Sequence, residues 1–167
     1  PDHFTPDHAA AVVAALRGMA KNWMSVLCKA FVDAPPEGRG MYARTLSAYA
    51  AIAEPAVTAT FFRTAITRLL KIVEDAAKPL PPPDMITDGG MDPVQRRCTY
   101  TELALVLSPG LDDAGCATLL RACKPAVLDP KEPALQKKGY KVLSQLCEQR
   151  PGFLRAHIGD VLGLILA

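Results

Sequence analysis

Three clusters of cations have types and spacing that could do chemistry: Arg63, Arg68 and Lys71; Arg96 and Arg97; and Lys137, Lys138 and Lys141. Each puts two or three positive charges on one helix. The chemistry open to them is electrostatic, a contact with phosphates or with an acidic protein segment. A cluster of this size is also what a solvated helix face looks like. Stacked helices would join the clusters into a single stripe along the stack. Aromatic residues suited to base stacking are not interleaved with the lysines. Only Tyr140 lies close by, and its ring is expected to pack between helices, which does not favour sequence-specific reading of RNA.

Catalytic chemistry finds little to work with. No Ser or Cys has a His nearby in the sequence, and His157 stands alone on the last helix, where it reads as a surface or capping residue. The carboxylate pairs Asp112-Asp113 and Glu74-Asp75 fall at helix ends or in polar stripes, where solvation and the helix dipole account for them. His3 and His8 sit in a repeated Pro-Asp-His and could ligate a metal, but no Cys or further His lies at ligand spacing. Thr5-Pro6-Asp7 reads more simply as a helix start, with Thr5 as N-cap and Pro6 in the first helical position. Gly38-Arg39-Gly40 lacks the preceding strand and the Lys-Ser/Thr of a phosphate loop. Cys28, Cys98, Cys116, Cys123 and Cys147 form an odd set without a CxxC pair, which points to free thiols in a reducing compartment. Cys116, Cys123 and Cys147 fall on apolar faces, as small hydrophobes do. The expectation is a non-enzymatic chain with no cofactor, no metal and no small-molecule substrate.

The elements that must carry these residues are helical. Half of the 167 residues are hydrophobic and only 6% are aromatic, so Ala, Leu, Val and Ile must fill the core. The net charge of +2, from 19 basic and 17 acidic residues, excludes a strong polyanion binder acting through overall charge alone. No stretch alternates with the period of a strand. Helical periodicity instead covers Asp7 to Asp33, with Ala9, Val12, Val13, Leu16, Ala20, Trp23, Leu27, Ala30 and Phe31 on one face. Further helices are expected over Met41 to Ala53, Ala56 to Lys78, Val94 to Leu107, Asp112 to Leu128, Ala134 to Gln149 and Phe153 to Ala167. In the third, Val57, Phe61, Phe62, Leu69, Leu70 and Val73 span an arc broad enough for neighbours on two sides. In the last, Phe153, Leu154, Ile158, Val161, Leu162 and Ile165 form the apolar face, and Gly159 and Gly163, four apart, would admit a close neighbour.

About seven helices joined by short Pro, Gly and Asp turns give an all-α protein, an α-solenoid of HEAT or armadillo-like hairpins. The expected division is residues 1–78 as N-terminal helical repeats, 79–92 as a Pro/Gly-rich inter-helix loop and 93–167 as C-terminal repeats. These would form one continuous array, a fragment of a larger protein. No signal peptide is present, and the apolar run from Val161 to Ala167 is too short to span a bilayer, so no membrane partner is expected.

The helix at Leu135 also carries a family resemblance. Leu135-Gln136-Lys137-Lys138-Gly139-Tyr140-Lys141-Val142-Leu143 resembles the Leu-Gln-Lys-Lys-Ala-Tyr-Lys-Val-Leu-type helix of a eukaryotic HEAT-repeat family. These are the large nucleolar ribosomal-RNA-processing proteins that act on small-subunit precursors and their export. Leu128-Asp129-Pro130-Lys131-Glu132 is similar to the turn that leads into that helix, and the likeness extends loosely over Leu103 to Gln149. Gly139 departs from the family's alanine. The resemblance implies a scaffold in ribosome biogenesis that binds pre-ribosomal proteins and ribosomal RNA, located in the nucleolus and nucleus with passage to the cytoplasm. It carries over no catalytic residue. Lys137, Lys138 and Lys141 transfer as contact residues, and Arg96 and Arg97 join them as basic neighbours. The competing expectations are a protein-only α-solenoid adaptor, such as a transport receptor, and a helical enzyme with a deep closed pocket.

Overall fold

Thr5 opens the first helix by capping it: its Oγ1 accepts the His8 backbone N–H at 3.3 Å, while His8 Nδ1 accepts the Thr5 N–H at 3.5 Å. This reciprocal pair assigns His8 a structural role at the helix start. The computed structural model describes residues 5–76 and 92–166. Among these residues there are nine α-helices and no strand: α1 (Pro6–Gly18), α2 (Ala20–Asp33), α3 (Arg39–Ile52), α4 (Pro55–Ala76), α5 (Pro93–Val106), α6 (Asp113–Val127), α7 (Pro133–Gln149), α8 (Pro151–Ala156) and α9 (Ile158–Ile165). Single 3-10 turns cover Pro36–Gly38 and Ser108–Gly110. Five of the nine helices begin on proline, whose fixed φ suits the first turn and whose missing N–H costs nothing there. Asp92 and Asp112 cap α5 and α6 through the Gln95 and Gly115 backbone N–H groups.

The helices pack in two rows. Contacts run α2 to α4 to α6 to α9 along one row, and α3 to α5 to α7 to α8 along the other. The pairs α2/α3, α4/α5, α6/α7 and α8/α9 join the rows, while α1 rests against α2. A large buried apolar cluster threads between them from Ala20 to Leu164, with Met24, Phe31, Leu46, Leu107, Leu119, Val142 and Leu146 at or near zero exposure, and a small second cluster joins Cys98, Ala126 and Leu135. The Ser108–Gly110 turn wedges against α3 and α4. A Cβ on Gly110 would fall on the Ala50 carbonyl oxygen and 2.8 Å from Thr58 Cγ2, so only glycine allows that approach.

The described residues form nine helices where the periodicity predicts seven. The expected Asp7–Asp33 helix breaks at Met19 (φ −99°, ψ 1°), directly after Gly18, the residue of weakest helix propensity in the segment. The expected Phe153–Ala167 helix breaks at His157 (φ −114°, ψ 22°). Both breaks re-aim the faces that follow. After the first break Trp23 is half exposed instead of inward and Met24 is buried, alongside the expected Ala20 and Phe31; before it, α1 buries no residue and Val12 is half exposed. On α9, Val161 and Leu164 are buried, whereas Ile158, Leu162 and Ile165 are about half exposed. A Cβ at Gly159 or Gly163 would meet no atom within 4 Å, so the glycines admit no neighbour among the described residues. Leu70, Tyr140 and Cys147 also lie outside the core, against expectation. Pro125 neither ends α6 nor begins a new element, since the helix continues through it to Val127. Of the Pro/Gly-rich stretch 79–92, all but Asp92 lies outside the described residues.

Candidate functional site

The lysine helix α7 presents the apolar face that its spacing dictates. Leu135, Gly139, Val142, Leu143 and Leu146 are all buried, against α6 and α5. That orientation decides where the cations go. Lys138 and Lys141, one turn apart, lie at the α5 side of the helix. Lys138 Nζ donates to Glu102 Oε2 at 3.0 Å, and Lys141 Nζ stands 3.6 Å from Glu102 Oε1. Glu102 is the only acidic residue in α5, and its side chain is 17% exposed. One carboxylate thus fixes two of the three lysines on a neighbouring helix.

Arg97 is used in the same way. Its Nη1 lies 3.5 Å from Asp129 Oδ2 in the α6–α7 turn, with both side chains largely buried. Asp129 Oδ1 also accepts the Lys131 backbone N–H, which fixes the turn. Of the five predicted contact residues, only Arg96 and Lys137 are exposed with no ion pair among the described residues. The structure therefore brings Lys138, Lys141 and Glu102 into one internal cluster and directs Arg97 to a separate pair. Glu102 is the residue that the sequence reading misses. The available signal was a solitary carboxylate in an otherwise apolar and basic helix.

The remaining candidates for chemistry are occupied structurally. His157 Nδ1 pairs with the Phe153 carbonyl at 3.0 Å, and its ring stacks on Phe153 with centroids 4.2 Å apart. Asp112 Oδ1 accepts the Gly115 N–H at 2.8 Å, and Asp113 lies 3.8 Å from Arg150. The buried thiols are poor nucleophiles. Burial pushes Cys28 up to about 11 and Cys123 up to about 12. Burial also raises Cys98 and Cys116; Lys138 and Arg97 oppose the rise at Cys98, and Arg150 opposes it at Cys116. Among the described residues, no three His, Cys, Asp or Glu side chains are grouped to hold a metal ion. No helix among them is long and apolar enough to cross a membrane.

Three open grooves follow the α2–α4–α6–α9 row. One of about 440 Å³ runs between α2 and α4, lined by Cys28, Lys29, Val32, Phe61 and Arg68, with Tyr100 and Leu103 of α5 contributing as well. The next, about 420 Å³, lies between the starts of α4 and α6, with Arg63, Phe62, Asp112 and Thr118 on its walls. The third, about 310 Å³, lies between α6 and α9 and is lined by Leu120, Arg121, Lys124, His157, Asp160 and Leu164. Arg63, Arg68, Arg121 and Lys124 are exposed and have no ion pair among the described residues. The sequence reading misses Arg121 and Lys124, whose spacing of three residues on α6 was the available signal.

The sequence matches no known protein-family model, and no curated protein sequence matches it.

Proposed function

We propose that the chain is a non-catalytic α-solenoid scaffold of HEAT-type hairpins that works in ribosome biogenesis, binding small-subunit pre-ribosomal proteins and RNA. The observation that carries the scaffold is the row order. Successive helix pairs α2/α3, α4/α5 and α6/α7 pack against their neighbours in sequence, with α8 and α9 extending the two rows, as quasi-one-dimensional arrays do. On this reading residues 1–78 and 93–167 belong to one array, and the half-exposed stripe of Ile158, Leu162 and Ile165 is a face that a further hairpin would cover.

Ribosome assembly enters through the resemblance of the Leu135–Leu143 motif, whose Leu135, Gly139, Val142 and Leu143 pack inward while Tyr140 stays half exposed. A nucleolar and nuclear location comes with that resemblance. The test is affinity purification of the tagged full-length protein from a eukaryotic cell. Co-recovery of small-subunit precursor RNA and its proteins is the expected result. Recovery of protein partners without precursor RNA would move the chain to a second reading, a protein-only adaptor. The pairing of Lys138 and Lys141 with Glu102 favours that alternative, because a carboxylate already engages two of the three lysines, Lys138 the more closely.

A further inference from the structure

We infer that the outer face of the α2–α4–α6–α9 row, with Arg63, Arg68, Arg121 and Lys124 at its grooves, is the surface that takes a single-stranded nucleic-acid backbone. The inference rests on the RNA part of the proposed function and moves its contact away from α7. Charge is the first reason. On α7, Lys138 and Lys141 are held by Glu102, so a phosphate reaching them would have to displace a carboxylate already in place. The four cations of the outer row form no ion pair among the described residues, although Asp112 and Asp160 line two of their grooves.

Their distribution is the second reason. Arg68 lines the α2/α4 groove, Arg63 the α4/α6 groove, and Arg121 with Lys124 the α6/α9 groove. Lys71 is exposed on the same polar stripe of α4. Helices in one row thus place cations at successive grooves, an arrangement suited to a chain that carries one charge per residue. The acidic groups on these walls are fewer. Asp33 is tied to Lys29, Asp112 is engaged at the α6 N-cap, and Asp160 faces the groove that holds two cations and His157.

The third reason favours nucleic acid over an acidic peptide. The α2/α4 groove is lined by the partly exposed Phe61 and by Arg68, two helical turns apart on α4, together with the apolar Val32 and Leu103. An aromatic ring and a guanidinium spaced along one groove suit a strand that stacks a base at one point and sets a phosphate at another, without base-specific hydrogen bonds. An acidic peptide has no use for the ring. The grooves fall in the size range of small-ligand sites, so a nucleobase has room to enter.

Fluorescence anisotropy of the 167-residue chain tests this with a labelled oligouridine of about twenty nucleotides and a labelled oligoglutamate of similar charge. The wild-type chain should bind the oligouridine more tightly, with a log–log salt slope of roughly −3 for four phosphates neutralised. Joint substitution Arg63→Glu, Arg68→Glu, Arg121→Glu and Lys124→Glu should weaken binding about ten-fold or more. Joint Arg96→Glu and Lys137→Glu should weaken it less than about three-fold. All six side chains are exposed, and unchanged circular dichroism and melting would show that the fold is retained. Three outcomes overturn the inference: no oligouridine binding, equal loss in the two variants, or oligoglutamate binding at least as tight. None of these touches the co-purification result. A failed co-purification with intact oligouridine binding removes the ribosomal reading and leaves this surface standing.

Discussion

Gly139 of α7 packs directly on Val127 at the end of α6: a Cβ at that glycine would lie 2.6 Å from Val127 Cγ2 and 2.9 Å from the Val127 backbone nitrogen. The missing side chain sets how closely the two helices approach. Gly139→Ala would gain about 1 kcal/mol of helix propensity. Against this stands a clash with backbone, which no rotamer change relieves, of about 1–3 kcal/mol or more. The expected net result is a destabilised chain, seen as a lower urea midpoint at unchanged slope. A higher midpoint would mean that α6 and α7 can separate without cost.

Glu102 is the hinge of the α5–α7 polar contact. Glu102→Gln keeps its size but leaves Lys138 and Lys141 without their counter-charge. Lys138 is 29% exposed and Lys141 56%, so solvent recovers part of the loss. The expected destabilisation is about 1–2 kcal/mol, below the several kcal/mol of a fully buried pair. Lys141→Ala should cost less than Lys138→Ala, since the Lys138 contact is shorter and less exposed. Equal effects in chemical denaturation would refute that ranking.

The sequence discloses the helices better than their faces. Proline starts, caps and the α7 apolar positions were legible because they depend on residues a few places apart. Thr5, Pro133 and Leu135 behave as local rules require. Trp23, Ile158 and Leu162 were misplaced because a break, at Met19 or His157, shifts the buried stripe of the helix that follows, while Ala20, Phe31 and Val161 stay within it. No local signal marks such a break strongly. The internal use of Lys138 was illegible for a different reason: its partner, Glu102, is 36 residues away, and only the packing of α5 on α7 brings the two together.

The thiols should react in an order set by burial. Cys147 is exposed, Cys28 is half-buried, and Cys98, Cys116 and Cys123 are buried. A thiol-disulfide dye at neutral pH should therefore label one site fast in the native chain, and Cys147→Ser should remove that phase. The buried thiols also confer a pH dependence. Folding raises Cys28 to about 11 and Cys123 to about 12 from an ordinary value of 9.0, so the folded state holds these protons more tightly than the unfolded chain. The stability they contribute is complete below pH 9.0 and is lost as pH rises towards 11 and 12. Cys123→Ala should flatten the alkaline loss of stability relative to wild type, and an unchanged slope would sink the assignment.

Two caps of similar chemistry should have different consequences, because the helices they begin are anchored differently. Thr5 caps α1, which buries no residue and is tied to the rest partly by the Arg17 Nε bond to the Ile52 carbonyl at 2.7 Å. Asp112 caps α6, which buries Cys116, Leu119, Leu120, Cys123, Ala126 and Val127. Loss of either cap weakens its helix start by about 1 kcal/mol. In α6 that weakening must be shared by the whole core, so Asp112→Ala should lower global stability by about that amount. In α1 the helix can fray alone, so Thr5→Ala should speed amide exchange within 6–18 and leave the global unfolding midpoint unchanged. Native-state hydrogen exchange and urea denaturation on the two variants separate the cases. A global loss from Thr5→Ala would show that α1 belongs to the cooperative unit.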